Sequence, residues 1–352
     1  MTRARNFSTW AYWRLRLEAL EAADPLPDDD AGIGPWRERV RRRLGELVGP
    51  WPERVPPDLE VRAEHRHEGH RREEVVFDSE RFMSVPANLL VPDGRDAPGP
   101  AVLAVHGHGL DKDSVCGVGP APEAPRADYA RQLVRRGFVV LAPDLRGFGE
   151  RADTMLGRLD TADLAADVVQ HHFDCDWPLV CAVMAGVSPL AQNLHDLRCA
   201  LDVLAAHPLV DPGRIGVAGW SYGGTLALFL AALDERVRAA VVSSFFSSWR
   251  AAHAVPWNMC GSQVLWGMLG RIEHLDVAAL VAPRALAIES SEDDVMFPAA
   301  VARAEVARLR RVYRHLGAPD ALVHDVVAGD HAWNGRRTLD ALAAALGGGA
   351  SG

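Results

Sequence analysis

The chain has few cysteines and no long apolar run. Its five cysteines form neither a redox motif nor a disulfide framework. The first residues, Met1 to Asn6, lack the apolar segment of a secretory signal peptide, and no stretch approaches the length that spans a membrane. Export through an ordinary signal peptide and insertion into a membrane are therefore unsupported, and we expect a cytoplasmic protein.

The sequence also lacks a concentration of positive charge. Its formal net charge is −9, and no basic cluster is combined with aromatic residues, so we do not expect nucleic acid as a partner. With 352 residues, of which 48% are hydrophobic, the chain can bury one large core and needs no second full domain. These values favour a protein whose partner is a small molecule.

Metal-ligand patterns are weak. His65, His67 and His70 lie in a run rich in Arg and Glu with no cysteine nearby, and one exposed strand face explains the alternation of the first two. A second group, around His171, has no further ligand pair at zinc-finger spacing. We therefore predict no metal site.

The most informative stretch is Gly219-Trp220-Ser221-Tyr222-Gly223. It follows an apolar run and precedes a helical one, and a G-x-S-x-G sequence at such a junction is typical of a nucleophile elbow. Small residues two positions before and after the serine let the backbones pass closely, and the hydroxyl then lies at the positive end of a helix. Taken alone, the pattern also fits an ordinary tight turn between a strand and a helix.

Nucleophilic serine chemistry also needs a base, an acid that orients the base, and donors for an oxyanion. His331 follows the last predicted strand and is the predicted base. The acid is expected in the acidic run at 292–294, which follows the preceding strand. Backbone N–H groups of His108, in a glycine-rich turn, and of Tyr222 are the predicted oxyanion donors.

Neighbouring residues compete for two of these roles. His324 lies inside the last predicted strand, whereas His331 lies just beyond its end. Asp330 is adjacent to His331, and adjacent residues in a loop rarely point at each other, so we predict a turn role for Asp330. The acid within the run 292–294 stays open on these residues alone.

The apolar runs predict an α/β fold with an eight-stranded, mostly parallel sheet flanked by helices. From the third run onward a helical stretch separates each pair, which indicates right-handed crossovers, and the first two runs indicate an antiparallel hairpin. The chain order Ser, Asp, His is the order of the α/β-hydrolases, and these residues fall at the carboxyl ends of the parallel strands. The predicted strands are Glu73–Asp78, Phe82–Val91, Ala101–His106, Phe138–Pro143, Arg214–Gly219, Val237–Ser243, Arg284–Glu289 and Ala321–Val327.

The chain resembles the dienelactone hydrolase-like and acetyl-esterase-like branch of the α/β-hydrolases from Val75 to Leu346. The resemblance implies a serine hydrolase with no metal or organic cofactor and with a carboxylic ester as substrate. Its spacing of an acid four residues before proline selects Asp294, ahead of Pro298. The segments that carry the resemblance are His106 to Gly109, Ala142 to Arg151, Gly219 to Gly224, Ala282 to Arg284 and Gly329 to His331.

Two further parts are expected around the hydrolase domain, which spans 73–346 with a helical lid insertion at 152–186. Residues 1–72 form a predicted N-terminal helical extension and lead-in, and residues 347–352 a disordered tail. The two helices of the extension fit packing on the flank of the sheet, a cap or a homodimer contact. Five tryptophans are expected to line the substrate pocket, with core packing an equal alternative for those in 245–270: Trp177, Trp220, Trp257, Trp266 and Trp333.

The predicted activity is hydrolysis of a small or medium-sized ester through an acyl-enzyme on Ser221. The same residues also support cleavage of a carbon–carbon bond in a diketone or polyketide-like substrate, and acyl transfer or cyclisation where a lid keeps water out. A different class of function is a hydrolase fold retained as a binding protein, which predicts a missing catalytic residue. Ser221, Asp294 and His331 are all present.

Overall fold

The computed structural model describes residues 5–118, 127–152, 176–255 and 260–347, except for the side chains of 176 and 177. The strands of this described part are β1 (Glu60–His67), β2 (His70–Glu80), β3 (Met83–Pro92), β4 (Gly99–Val105), β5 (Val139–Pro143), β6 (Val210–Trp220), β7 (Val237–Ser243), β8 (Ala285–Ser291) and β9 (Leu322–Val327). The helices are α1 (Thr9–Glu18), α2 (Ile33–Val48), α3 (Lys112–Val115), α4 (Tyr129–Arg135), α5 (Asp176–Ala185), α6 (Pro189–Ala206), α7 (Tyr222–Leu233), α8 (Trp249–Ala252), α9 (His274–Val281), α10 (Ala299–His315) and α11 (Arg336–Leu346). Within these described helices, none is both long and apolar enough to cross a membrane.

The strands form one sheet that is antiparallel at one side and parallel over the rest. Its strand order is β1-β2-β3-β5-β4-β6-β7-β8-β9. Neighbours from β1 to β5 pair antiparallel, and neighbours from β5 to β9 pair in parallel. The predicted α/β-hydrolase fold, with its mostly parallel sheet and its antiparallel entry hairpin, is confirmed.

The predicted count of eight strands is wrong, because the described residues form nine. The additional strand is β1, which pairs with β2 at the sheet edge from Glu60 opposite Val76 to His67 opposite His70. Most of its residues are exposed, so it has no apolar alternation that the sequence could show. Part of the predicted lead-in is therefore a strand, on which His65 hydrogen-bonds to Glu74 at 2.8 Å.

Alternation along the central strands divides the core into two layers. In β4, Leu103 and Val105 face the larger apolar cluster, which contains residues of α2, α6, α7 and α9. Val102 and Ala104 face the smaller cluster, on the side of α4 and α11. Both β4 and β5 are buried at every position, as expected for strands that helices cover on both faces. The helices on both faces thus hold the strands in place, and the loops that carry the predicted site residues follow the carboxyl ends of these strands.

The N-terminal extension divides into an exposed helix and a packed one. Helix α1 has no buried residue. Helix α2 buries Trp36, Val40 and Leu44 at a helical spacing, and Arg37 donates to the carbonyl oxygen of Ala279 in α9 at 2.9 Å. α2 therefore packs on the flank of the hydrolase core, and a homodimer contact through these helices stays a prediction.

Most of the predicted lid, residues 153–175, lies outside the described residues. Its last part forms α5, which packs on the 3-10 turn Gly261–Gln263. A Cβ atom on Gly261 would lie 2.4 Å from Cδ2 of Leu179, so a larger residue at position 261 would require the Leu179 side chain to move. The predicted tail lies outside the described residues from position 348 onward.

Replacing Trp36 by alanine tests whether the extension is part of the hydrolase core. Trp36 is fully buried, and its indole Nε1 donates to the carbonyl oxygen of Asp24 at 2.9 Å. We expect Trp36→Ala to lower the free energy of unfolding by about 3–5 kcal/mol, measured by urea denaturation. Arg42→Ala, at an exposed position of the same helix, should change it by less than about 0.5 kcal/mol. Equally small effects of both substitutions would contradict the packing of α2.

Candidate active site

Ser221 lies on a tight turn between β6 and α7. Its φ of 55° and ψ of −119° fall in a region that residues with a side chain rarely adopt. The turn passes very close to the end of β4, because a Cβ atom on Gly223 would lie 1.9 Å from the carbonyl oxygen of Val105. A Cβ atom on Gly219 would lie 2.0 Å from the carbonyl oxygen of Gly223. This close-packed geometry is what the G-x-S-x-G sequence predicts.

Hydrogen bonds connect Ser221, His331 and Asp294 in one line. His331 Nε2 lies 2.9 Å from Ser221 Oγ, and His331 Nδ1 lies 2.8 Å from Asp294 Oδ2. A carboxylate only accepts, so Nδ1 carries the proton and Nε2 is left to accept one from the serine hydroxyl. The structure therefore brings together the predicted nucleophile, base and acid, in the arrangement that activates a serine.

Asp294 is held in place by the backbone that follows it. Its side chain has no solvent exposure, and its Oδ1 atom accepts from the backbone N–H groups of Met296 and Phe297 at 2.9 and 3.0 Å. Its Oδ2 atom is thereby directed to His331. The two donated amide hydrogen bonds fix the orientation of the carboxyl group, which in turn orients the imidazole of His331.

The other candidates for the acid and the base lie outside this line of hydrogen bonds. Glu292 forms an exposed ion pair with Arg303, and Asp293 is exposed. Asp330 is exposed as well. His324 remains within β9, where its Nε2 lies 3.1 Å from the hydroxyl oxygen of Ser290. Within the described residues, none of these four side chains forms a hydrogen bond to Ser221 or His331. The side chains that do so are those of the predicted acid and base.

Glu289 anchors the loop that carries His331, although no local pattern in the sequence marks it as a site residue. This buried carboxylate at the end of β8 accepts from the backbone N–H groups of Asn334 and Gly335 at 2.8 and 2.7 Å. It also accepts from the hydroxyl of Ser243 at 2.8 Å. Burial raises the pKa of Glu289 above its ordinary value, although the donated hydrogen bonds oppose this shift. Both carboxylate oxygens accept from these donors, so Glu289 fixes the backbone three and four residues beyond His331.

The predicted oxyanion donors lie on the other side of Ser221. Tyr222 is the first residue of α7, so its backbone N–H belongs to the positive end of that helix. The ring of His108 stacks on the Tyr222 ring at 4.7 Å, and its Nε2 atom lies 3.0 Å from Cys260 Sγ. Tyr222 in turn donates its hydroxyl to the carbonyl oxygen of Ser262 at 3.2 Å. The side chains of both predicted donors are therefore fixed by neighbouring groups.

His106 stabilises the glycine-rich turn after β4, which contains His108. Its Nε2 atom accepts from the backbone N–H of Leu145 at 3.0 Å, and its Nδ1–H donates to the carbonyl oxygen of Gly107 at 2.9 Å. Burial lowers the pKa of His106 to about 4, so the imidazole is neutral near pH 7. This residue links the loops after β4 and β5 rather than taking part in proton transfer with Ser221.

The charged segment 144–151 has a structural role in the described residues. Asp144 accepts from the backbone N–H groups of Lys112 and Glu150 at 2.8 and 3.0 Å, and burial raises the pKa of its carboxyl group to about 6. Arg151 donates to buried Asp196 at 2.8 Å. Glu150 pairs with Arg62 and with Lys112. Glu150 and Arg151 are therefore members of ion pairs that hold this segment in place.

The predicted pocket tryptophans have different environments. Trp220 lies beside the site, with its ring centre 5.0 Å from that of His331. Trp266 is half-buried and donates its indole N–H to the carbonyl oxygen of Val187 at 2.7 Å. Trp257 and the side chain of Trp177 lie outside the described residues.

Trp333 was expected in the pocket and instead lies in the core. It is 2% exposed, and its ring stacks on Tyr129 at a centroid distance of 4.3 Å. The backbone N–H groups of the next two residues bind Glu289, and the side chain of Trp333 packs in the layer of α4 and α11. In its place, Phe297 contacts the site, with its ring stacked on His331 at 5.6 Å. Phe297 was not among the predicted site residues.

Substitution of Asp294 tests the orienting role of its carboxylate. Asparagine retains the size but presents an amide that can hold the wrong tautomer of His331, so we expect Asp294→Asn to lower kcat on the order of 10³–10⁴-fold. The neighbouring exposed Asp293 provides a matched control, because Asp293→Asn should leave kcat within about twofold. Steady-state kinetics with an activated ester would measure both. Equal losses in the two variants would refute this choice of acid.

Substitution of Glu289 tests whether it positions His331. Glutamine cannot accept from both backbone amides, so we expect Glu289→Gln to lower kcat by about 10–100-fold with little change in KM. Glu292→Gln, which removes only an exposed ion pair, is the control. Melting temperature should be measured alongside, because a purely structural role predicts a lower melting temperature with kcat per folded molecule unchanged.

Two family models and a curated relative match this chain. The model of the Abhydrolase family matches residues 24–260. That of the prolyl oligopeptidase family matches residues 191–338, a range that contains Ser221, Asp294 and His331. A Bacillus subtilis protein named "Putative hydrolase YtaP" is 30% identical over 211 residues, which are 58% of this chain and 63% of that protein. The aligned region thus spans less than two thirds of that relative's length.

Two solved structures share the fold at low sequence identity. A "putative acetyl xylan esterase" from Bacteroides fragilis has a TM-score of 0.72 and 19% identity, covering 93% of this chain and 84% of that one. A glucuronoyl esterase from Solibacter usitatus has a TM-score of 0.64 and 15% identity, covering 92% and 94%. Membership of the dienelactone hydrolase-like branch stays a prediction. Because the Abhydrolase match covers more than half of the sequence and the fold agrees with it, the chain belongs to the Abhydrolase family of the α/β-hydrolase superfamily.

Proposed function

We propose that the protein is a serine hydrolase that cleaves a carboxylic ester through an acyl-enzyme on Ser221. The observation that carries this proposal is the line of hydrogen bonds from Ser221 Oγ through His331 to Asp294, at 2.9 and 2.8 Å. Ser221 lies on a strained turn at the start of α7. A nucleophile at such a turn faces the substrate and lies close to the positive end of the helix dipole. The names of the structural relatives, which are esterases, add support.

In the first half of the reaction, Ser221 attacks the ester carbonyl as its proton passes to His331 Nε2. Asp294 keeps the imidazole in the required tautomer and stabilises the imidazolium that forms. The negative charge on the carbonyl oxygen is held by the backbone N–H groups of His108 and Tyr222. Such donors contribute about 2.7–4 kcal/mol each to transition-state stabilisation in other serine enzymes.

The second half of the reaction returns the enzyme to its starting state. His331 donates the proton on Nε2 to the leaving alcohol, which departs and leaves the acyl group on Ser221. A water molecule then attacks the acyl-enzyme while His331 takes its proton. The bond between the acyl carbon and Ser221 Oγ breaks, His331 returns the proton to Oγ, and the carboxylic acid is released. This sequence of steps uses only the side chains and backbone donors named above.

Ester hydrolysis is favoured over the other functions expected from the sequence. A silent binding protein needs no contact between Ser221, His331 and Asp294, whereas these residues form a continuous hydrogen-bonded line. Carbon–carbon cleavage and acyl transfer use the same three residues, and the esterase names of the structural relatives favour hydrolysis of an ester.

Turnover of p-nitrophenyl acetate and p-nitrophenyl butyrate tests the proposal. We expect the purified protein to hydrolyse one or both, and Ser221→Ala to lower kcat by at least about 10³-fold because the acyl acceptor is missing. Ser84→Ala, at an exposed serine of β3, should keep full activity. Equal turnover by the protein and its Ser221→Ala variant would refute the nucleophile. No turnover by either would exclude a simple esterase.

A further inference from the structure

The imidazole of His331 lies between two aromatic rings. The centre of the Trp220 ring is 5.0 Å from that of the imidazole, and the two planes meet at 38°. The centre of the Phe297 ring is 5.6 Å from it, and these planes meet at 23°. Both distances are within the range of about 6 Å over which an aromatic face attracts a cation.

The two rings approach the imidazole from opposite layers of the core. Trp220 belongs to the smaller apolar cluster, on the side of α4 and α11, whereas Phe297 belongs to the larger one. Two rings on the same face of one imidazole would touch each other, and the ring contacts of the described residues include none between Trp220 and Phe297. Each ring therefore covers a different face of His331.

Neighbouring groups hold both rings in place. Trp220 is 9% exposed, and a Cβ atom on Gly107 would lie 2.8 Å from its Cε3 atom, so the indole packs on the glycine-rich turn after β4. Phe297 is 3% exposed, and its backbone N–H donates to Asp294 Oδ1 at 3.0 Å. Phe297 thus orients the acid with its backbone and covers the base with its ring.

Both halves of the proposed reaction pass through a positively charged His331. The imidazole takes a proton from Ser221, and later one from water, and holds it as an imidazolium until the proton is passed on. The face of an aromatic ring carries partial negative charge, so it attracts this cation more strongly than the neutral imidazole. An interaction that strengthens as the charge develops lowers the barrier of the reaction.

We infer that Trp220 and Phe297 are positioning residues, whose ring faces hold the imidazole of His331 in line and stabilise its protonated form during catalysis. This inference rests on the proposed ester hydrolysis. It gives Trp220 a role separate from the pocket wall expected from the sequence.

Replacing either ring leaves the charged groups around His331 unchanged. The carboxylate of Asp294 contacts Nδ1 from the loop after β8. Asp330, the preceding residue in the chain, is exposed. Glu289 binds the backbone beyond the imidazole, and His253 contacts the phenyl ring edge-on. A change in the titration of His331 after a ring substitution therefore reports on the aromatic face that was removed.

The pH dependence of kcat/KM tests the inference, because its acid limb reports the protonation of the free base. Trp220→Leu keeps an apolar side chain but removes the aromatic face, so the imidazolium loses its proton at lower pH. We expect the midpoint of the acid limb to fall by about 0.5–1 pH unit. The kcat on the plateau should fall by about 2–10-fold. Phe297→Leu should produce both changes.

Two further variants separate the effect of the ring face from general damage to the fold. Trp220→Phe restores an aromatic face and should recover the midpoint of the unmodified protein. Trp51→Leu is the matched control, since Trp51 is a half-buried tryptophan whose ring contacts the guanidinium of Arg198 in α6. It should leave the acid limb in place. A lower kcat in Trp220→Leu and Phe297→Leu with an unmoved acid limb would overturn the inference.

Titration of His331 by NMR distinguishes failure of this inference from failure of the proposed reaction, because it needs no substrate. The full chain is prepared with isotope-labelled histidine, and His331→Gln assigns the resonance. Its titration midpoint should fall by about 0.5–1 pH unit in Trp220→Leu and stay unchanged in Trp51→Leu. That fall without any Ser221-dependent turnover of esters would refute the ester reaction and support stabilisation of the imidazolium. Ser221-dependent turnover with equal midpoints in all variants would overturn the inference alone.

Discussion

The close passage of the Ser221 turn across the end of β4 is the constraint on which the site depends. The backbone at Gly223 lies so near the carbonyl oxygen of Val105 that a Cβ atom would be 1.9 Å from it. This contact joins the strand that leads to the predicted oxyanion donor with the helix that begins beside the nucleophile. The positive φ of Ser221 is tolerated because the surrounding strands and helix are buried and leave the turn little freedom.

Buried polar groups hold the loops that follow the strands, because the hydrogen bonds of the sheet end with the strands. Backbone amides hold Asp294, and the Glu289 carboxylate holds the backbone beyond His331. On the opposite side, His106 and Asp144 each join the loop after β4 to the segment after β5. Each of these groups is satisfied by several hydrogen bonds, which offsets the cost of burying it. The candidate site is therefore preorganised by side chains that do not react.

Several parts of this arrangement could be predicted because they leave a local pattern. The buried parallel strands are apolar runs between helical stretches, and the turn at Ser221 has a fixed spacing of glycines. β1 was missed because an exposed, charged edge strand has no apolar alternation. Trp333 was misplaced and Glu289 overlooked because their environments depend on chain segments that are distant in sequence, namely α4 for Trp333 and β7 for Glu289.

Covalent labelling of the nucleophile tests the central claim most directly. An alkyl fluorophosphonate reacts with a serine only where a base activates it, and the phosphonyl group then remains on that oxygen. Incubation of the full chain with this reagent, followed by mass spectrometry of the intact protein and of its peptides, should show one phosphonyl group per chain on the peptide that contains Ser221. A label on another residue, or the same slow labelling before and after unfolding, would contradict an activated serine at this turn.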